Sequence, residues 1–321
     1  MKKIIDDDRL IYKCCHLYYK DELGQQEICD RLGISRTTVS RLLKLGLEKG
    51  IVKIRVENLY ERLYDDLERK LEEKYHLKEV VIVDESEFET VGEHQRRFNE
   101  ESLRYLSRII HGNDYVGVSM GKTLFNIANE SDSVDEINCT FVPVVGGVGY
   151  GQINEGYHSN DIAYAFAKKF NGQSLSFFAP AMFHDEMTMK GFLKEKSVKK
   201  VTDLFEKLKT VLMGIGATNE NGTLVQSGYI DEDDLSSFIE RGAVGDCLLK
   251  MVDQDGMISK FKDFNDRVMG LSDDQLLKIP NRVGFALGKE KAGAVLGVLR
   301  SKRVNILVTD IACVKKLLEI Q

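Results

Sequence analysis

Long apolar runs are missing from this chain of 321 residues. Nothing approaches the roughly 18–20 consecutive apolar residues that a membrane-spanning helix needs, so a span is excluded. After "MKK" the chain runs at once into Asp6, Asp7 and Asp8, and the apolar core of a signal peptide does not follow. Prolines number three and no tract is of low complexity, which excludes linker-rich and fibrous classes. The six cysteines, at 14, 15, 29, 139, 247 and 313, contain no CxxC and no pairing with histidine at ligand spacing. Such spacing provides neither a disulfide frame nor a zinc site, and reads as reduced thiols in a cytoplasmic protein.

What remains is an ordinary globular composition, 43% apolar and 30% charged, long enough for two or three domains. Net charge is -6, yet residues 1–57 hold twelve Lys/Arg against nine Asp/Glu, or +3, leaving -9 for the rest. A basic head therefore precedes an acidic body.

In the head, apolar periodicity predicts a helix over 9–20 with Leu10, Tyr12, Cys14, Leu17 and Tyr18 towards the core. A second helix runs through "QQEICDRL" and ends at Gly33. Ser35 then caps a third that begins at Arg36. The spacing Cys29–Gly33–Val39 supplies a small contact residue, a left-handed turn and a β-branched core residue. Two short helices crossing steeply need those three things. The face left over on the third helix is Arg36, Thr37, Thr38, Ser40 and Arg41, with Lys44 a turn further on. Guanidinium groups and hydroxyls near a helix N-terminus suit base edges and phosphates in a major groove. "EKGIVKIRV" alternates apolar and basic residues and predicts a small β-wing carrying Lys49, Lys53 and Arg55. The head reads as a winged helix-turn-helix domain over 1–57.

Residues 58–77 place Leu59, Leu63, Leu67, Leu71 and Tyr75 four apart. The stripe fits a linker helix that pairs with another subunit, or one that lies on its own body. Pairing is favoured here, because one small head makes too few contacts to select a site.

From 78 to 321, short β-branched runs such as "EVVIVD", "DYVGV", "CTFVPVV", "SLSFFAPAM", "TVLMGIG", "RVGFALG" and "VNILVTD" alternate with helical patterns, including one over 188–208. The alternation predicts an α/β, doubly wound, mostly parallel sheet, whose ligands bind beyond the carboxyl ends of its strands. Those ends are "SMGKT", "VGGVG", "GIGAT" and "LGKEK". Lys122 and Thr123 add a cation and a hydroxyl to a glycine turn, which suits a small phosphorylated ligand. No G-x-x-x-x-G-K-[ST] occurs, and "GGVGYG" is not a dinucleotide fingerprint. Asp246 is either a cap or a buried carboxylate that accepts ligand hydroxyls. Lys291 is either a surface lysine or a cation facing the crevice.

The head from "YYKDELGQQEICDRLGISRTTVSRLLK" onward resembles the SorC-type sugar-binding transcriptional regulators, grouped with the deoxyribonucleoside regulators. So does the ordered set "YVGVSMGKTL", "VPVVGGVG", "SGYI", "GAVGDCLLKMVDQDG" and "RVGFALGKEKAGAVLGVLRSKRVNILVTD". The similarity covers nearly the whole chain. It implies a Rossmann-like body akin to sugar-phosphate isomerases and deaminases, no cofactor, a phosphorylated-sugar effector, operator DNA as partner, and a homotetramer. It further implies a phosphate cradle at Ser119, Gly121, Lys122 and Thr123. Gly146 and Gly147 would line the crevice, Asn160 would open the next helix, and Asp246 and Lys291 would hold the two ends of the sugar. Some relatives carry a lysine or arginine before the double glycine, where this chain has Val145, so an imine with an aldehyde sugar is not expected there.

Two rival classes follow from the residues. An isomerase or deaminase with a DNA-binding head would need a positioned acid and base. The six histidines are scattered, however, and only His158 and His184 fall near predicted crevice loops. A sigma-factor-like head would share the helix-turn-helix pattern but not the sugar-type body.

Overall fold

A computed structural model describes residues 7–53, 64–86, 89–131, 134–147 and 157–320. The chain divides into two compact units, Met1–Glu61 and Arg62–Gln321.

The first unit contains α1 (Asp8–Tyr19), α2 (Gln25–Leu32) and α3 (Arg36–Glu48). Each end is fixed as the sequence dictates. Asp7 Oδ1 accepts from the Arg9 and Leu10 amides, and the Ser35 hydroxyl accepts from Thr38 N at 3.2 Å. Gly33 ends α2 at φ 67°, a left-handed conformation that costs a Cβ-bearing residue free energy. Ile11, Cys14, Leu17, Ile28, Val39, Leu42 and Leu43 form the core. Tyr12 departs from expectation. It is 59% exposed, because the buried stripe of α1 runs through Ile11, Cys14 and Cys15 and turns position 12 outward. The tightest helix contact lies between α1 and α3, where a Cβ on Gly46 would stand 2.2 Å from Cys15 Sγ. No strand occurs among the described residues of this unit. Lys49 caps the C-terminus of α3 and pairs with Asp8 at 2.5 Å; the stretch expected to form the wing lies outside the described residues from 54 on, Arg55 with it.

The second unit opens with α4 (Asp65–Tyr75), β1 (Glu79–Val83), α5 (Val91–Ile109), β2 (Tyr115–Val118), α6 (Lys122–Ala128), β3 (Thr140–Pro143), α7 (Ser159–Lys169) and β4 (Gln173–Ser174). It continues with α8 (Glu186–Phe192), α9 (Lys196–Thr202), β5 (Leu208–Ala217), α10 (Thr223–Gln226), α11 (Glu232–Glu240), β6 (Ala243–Cys247) and β7 (Lys250–Asp253). The last elements are α12 (Lys262–Asn265), α13 (Asp273–Leu276), β8 (Asn281–Ala286), α14 (Ala292–Arg300), β9 (Ile306–Asp310) and α15 (Ile311–Glu319). Seven strands pair in parallel in the order β1-β9-β8-β5-β2-β3-β4, with β6 and β7 added antiparallel beyond the end of β5. Alternate residues of β5 feed opposite faces of the sheet. Leu212 packs with Phe98, Leu124 and Phe166 of α5, α6 and α7, and Val211 and Met213 pack with the core of α4, α14 and α15. Both faces are covered, as a doubly wound sheet requires.

Three expectations change. The described part of the connector stripe is occupied by its own body: Leu71 is fully buried in the core there, with Leu67 and Tyr75 packed against it. Leu59 and Leu63 lie outside the described residues. The run "SLSFFAPAM" enters a strand only through its first residue, Ser174; further on, Pro180 has no amide to give and neighbouring groups bond elsewhere, as in Met269 N to Ala181 O. The helix over 188–208 is broken into α8, α9 and a 3₁₀ turn at Phe205–Lys207, each of the first two starting at its own cap residue, Asp185 and Glu195.

Candidate functional site

Two surfaces carry the chemistry, one in each unit. On α3 the core residues Val39, Leu42, Leu43 and Gly46 turn inward. Arg36, Thr37, Ser40, Arg41 and Lys44 are therefore exposed on the opposite face, with Lys53 exposed beyond the helix. Thr38 is half-buried; its hydroxyl and that of Thr37 each lie 2.8 Å from Ser35 Oγ. The cap that starts the helix thus also fixes two hydroxyls at its N-terminus. Lys44 is 3.8 Å from Glu48, whereas Arg36 and Arg41 make no ion pair among the described residues.

In the second unit a cleft of about 780 Å³ opens at the carboxyl ends of β2, β5, β8 and β9. That volume lies within the ~300–1,000 Å³ usual for small-molecule sites. The position is the one a doubly wound sheet dictates, beside the point where the chain, having laid down β2, β3 and β4 on one side, returns to place β5 on the other. Ser119, Gly121, Lys122 and Thr123 enter from the β2–α6 turn, Asp246 from β6, and Lys291 from the turn before α14. Asn126, Asn219, Asn221 and Thr223 add amide and hydroxyl groups to the wall. Helix α6 has seven residues and the Gly121 amide is already donated to Tyr157 O. The cation of Lys122 therefore matters more for an anion than the helix end does.

Asp246 sits opposite Gly216, which has no side chain to obstruct it. Burial pushes its carboxyl up to about 6, against the pull of Lys291 and Arg303 and a backbone hydrogen bond from Leu249. Burial likewise lowers Lys291 from the ordinary lysine value, opposed by the charges of Asp246 and Glu290. Each group weakens the other's desolvation penalty, so a carboxylate and an ammonium face one cleft at moderate cost. The β6–β7 turn carries Leu248 and Leu249 at φ 58° and 60°, and both line the cleft. Two consecutive leucines in the left-handed region are strained, and such strain survives where the surroundings impose it.

Gly146, Gly147 and Asn160 are not among the residues lining this cleft. Asn160 accepts from Phe177 N at 2.8 Å, a Cβ on Gly147 would strike its amide, and one on Gly146 would meet Pro180 O at 2.2 Å. These three hold the end of β3 against the 177–180 segment, and the rest of "GGVGYG", from Val148 on, lies outside the described residues. His158 and His184 are likewise absent from the cleft wall, whereas His94 of α5 is present with its Nε2 3.2 Å from Asp310 Oδ2. Asp310 also accepts from the Gly288 and Cys313 amides and so braces the turn that presents Lys291. Sequence reading missed this pair. Its one signal was the aspartate closing "VNILVTD", at a strand's carboxyl end.

Among the described residues no cluster of His, Cys, Asp or Glu is arranged to hold a metal ion, and no helix is long and apolar enough to cross a membrane.

The chain matches the sugar-binding domain family (Sugar-bind) over residues 62–319. It is 30% identical over 319 residues to the sorbitol operon regulator of Klebsiella pneumoniae, covering 95% of this chain and 96% of that protein. It is 28% identical over 307 residues to the deoxyribonucleoside regulator of Bacillus subtilis, covering 95% and 96%. The solved full-length sorbitol operon regulator SorC from Klebsiella pneumoniae superposes with a TM-score of 0.70 at 26% identity, over 98% of this chain and 99% of that one. The match spans both units, including the helix-turn-helix with its basic face on α3. The chain belongs to the SorC-type family of sugar-binding transcriptional regulators.

Proposed function

We propose that this regulator controls a carbohydrate-utilisation operon by binding operator DNA through α3, and that a phosphorylated sugar in the cleft of the second unit alters that binding. The observation that carries the reading is the pairing in one cleft of Lys122 and Lys291 with the buried Asp246 and a wall of asparagine and threonine side chains. A phosphate needs the cations and a polyol needs acceptors and amides, so the arrangement suits a ligand with one anionic and one hydroxyl-rich end. Operator, effector and subunits suffice for this mechanism, with no cofactor and no turnover. The names of the relatives, a sorbitol operon regulator and a deoxyribonucleoside regulator, support a carbohydrate ligand.

The protein acts in the cytoplasm as an oligomer, a dimer of dimers. Two heads meet half-sites about one helical turn (~34–36 Å) or a multiple apart, so a small change in subunit geometry changes affinity. Effector and operator then influence each other's affinity by the same factor.

The test is fluorescence anisotropy of DNA from the region upstream of the gene, titrated with hexose, hexitol and pentose phosphates and their unphosphorylated forms at fixed salt. A change in operator affinity confined to phosphorylated ligands is expected. Binding that no sugar phosphate alters would overturn the effector reading, and turnover of one of them would move the protein to the enzyme class.

A further inference from the structure

Strand β1 is one edge of the parallel sheet. An edge strand carries amides with no neighbouring strand to accept them, and native folds cover or block such edges. Here the cover is α4, and the means is specific. Glu72 Oε1 accepts from Val80 N and Glu68 Oε1 from Ile82 N, both at 2.8 Å. Tyr64, the residue before the helix, donates its hydroxyl to Asp84 Oδ1 at 2.5 Å. Positions 64, 68 and 72 thus meet 84, 82 and 80 in a descending ladder. The match is metric: four helical residues rise ~6 Å, and two strand residues advance ~6.6 Å. Carboxylates one turn apart therefore stand in for the carbonyls of a missing strand. Leu71, fully buried on the same helix, adds the apolar part of the attachment.

The ladder ends at the cleft. Asp84 is followed by Glu85, which lines the cleft, as does Glu89 four residues later. Glu89 is held by Arg97 of α5 at 2.7 Å, and its carboxylate accepts from the Ser86 amide. One turn before Arg97's helix position, His94 reaches Asp310. α4 begins three residues into the second unit, so the covalent path from body to head leaves through Tyr64, at the same end of the ladder as Asp84.

We propose that the Tyr64–Asp84, Glu68–Ile82 and Glu72–Val80 ladder is the coupling device of this regulator: it ties the cleft wall after β1 to the base of the connector, so that occupancy of the cleft is read at the DNA-binding unit. Tyr64 and Glu68 are positioning residues that touch neither operator nor effector. The proposal rests on the effector reading above for the ligand, but its mechanical part is independent of it.

The experiment measures operator affinity by anisotropy, with and without the active sugar phosphate, for wild type, Tyr64→Phe, Glu68→Ala and Glu68→Gln. Effector affinity is measured separately by calorimetry on the full-length protein. In Tyr64→Phe and Glu68→Ala the ratio of the two operator affinities is expected to fall at least fivefold towards one. Effector affinity should stay within twofold, because neither residue lines the cleft. Glu68→Gln keeps a carbonyl acceptor and retains the ratio, which a general loss of packing would not allow. A wild-type ratio in both Tyr64→Phe and Glu68→Ala overturns the proposal. If no sugar phosphate alters wild-type operator binding, the effector reading has failed, and the ladder is judged on the ligand-free arm. There, at least a threefold change in operator affinity in both variants supports it, and an unchanged affinity overturns it.

Discussion

Gly216 and Asp246 occupy a space that holds only one side chain: a Cβ at position 216 would stand 2.0 Å from Asp246 Oδ1. They face each other across the antiparallel pair of β5 and β6, so the carboxylate reaches the cleft over a strand that yields to it. Gly216→Ala is therefore expected to displace Asp246 and weaken effector binding at least tenfold, while operator binding by the ligand-free protein is retained. Calorimetry with the active sugar phosphate and operator anisotropy check the two halves.

The raised pKa of Asp246 has a signed consequence for stability. Burial pushes it up to about 6 in the folded protein, above the ordinary aspartate value, so the native state binds the proton more tightly than the unfolded chain does. Stability from this group is complete below pH ~4 and is lost as pH rises towards ~6. The difference corresponds to about 3 kcal/mol at most. Thermal unfolding between pH 4 and 8 should show wild type losing more stability over that window than Asp246→Asn. Parallel curves would place the carboxylate in a more solvated setting.

Arg36 and Arg41 project from α3 without an internal ion pair among the described residues. Arg36→Ala and Arg41→Ala should each weaken operator binding. For a residue that contacts phosphate alone, the slope of log K against log salt should fall by about one unit, and for one that reads a base, discrimination should relax by ~1–3 kcal/mol. Unchanged affinity in both variants would remove α3 as the recognition helix.

Gly46 packs against Cys15 with no room for a methyl group. Gly46→Ala is expected to cost the first unit about 1–3 kcal/mol through overpacking. Operator binding would fail at a lower temperature, while the sugar-phosphate affinity of the second unit would be unaffected. Limited proteolysis and calorimetry on one sample separate the two.

Asn160→Ala tests whether this residue serves the fold or the ligand. The side chain bonds to Phe177 rather than facing the cleft, so the variant should lose about 1–3 kcal/mol of stability through an unpaired backbone amide and keep its effector affinity. A selective loss of effector binding would return Asn160 to the site.

The local determinants were legible in the sequence. Gly33, Ser35 and the period of Val39, Leu42 and Leu43 decide the helix-turn-helix, because left-handed turns, caps and buried stripes depend on residues a few positions apart. The alternation of β-branched runs with helical patterns decides a doubly wound sheet, and the strand-end rule then places Lys122 and Lys291 at one crevice. Long-range packing decided the rest. Whether the stripe at Leu67, Leu71 and Tyr75 meets another subunit or its own body depends on the unfilled edge of β1, a partner that no local pattern encodes. Gly146, Gly147 and Asn160 look like a ligand loop in one dimension, yet the close approach of the 177–180 segment makes them a structural lock. His94 and Asp310 stand 216 positions apart and meet only because β1 and β9 pair in register, bringing the helix after one strand to the end of the other.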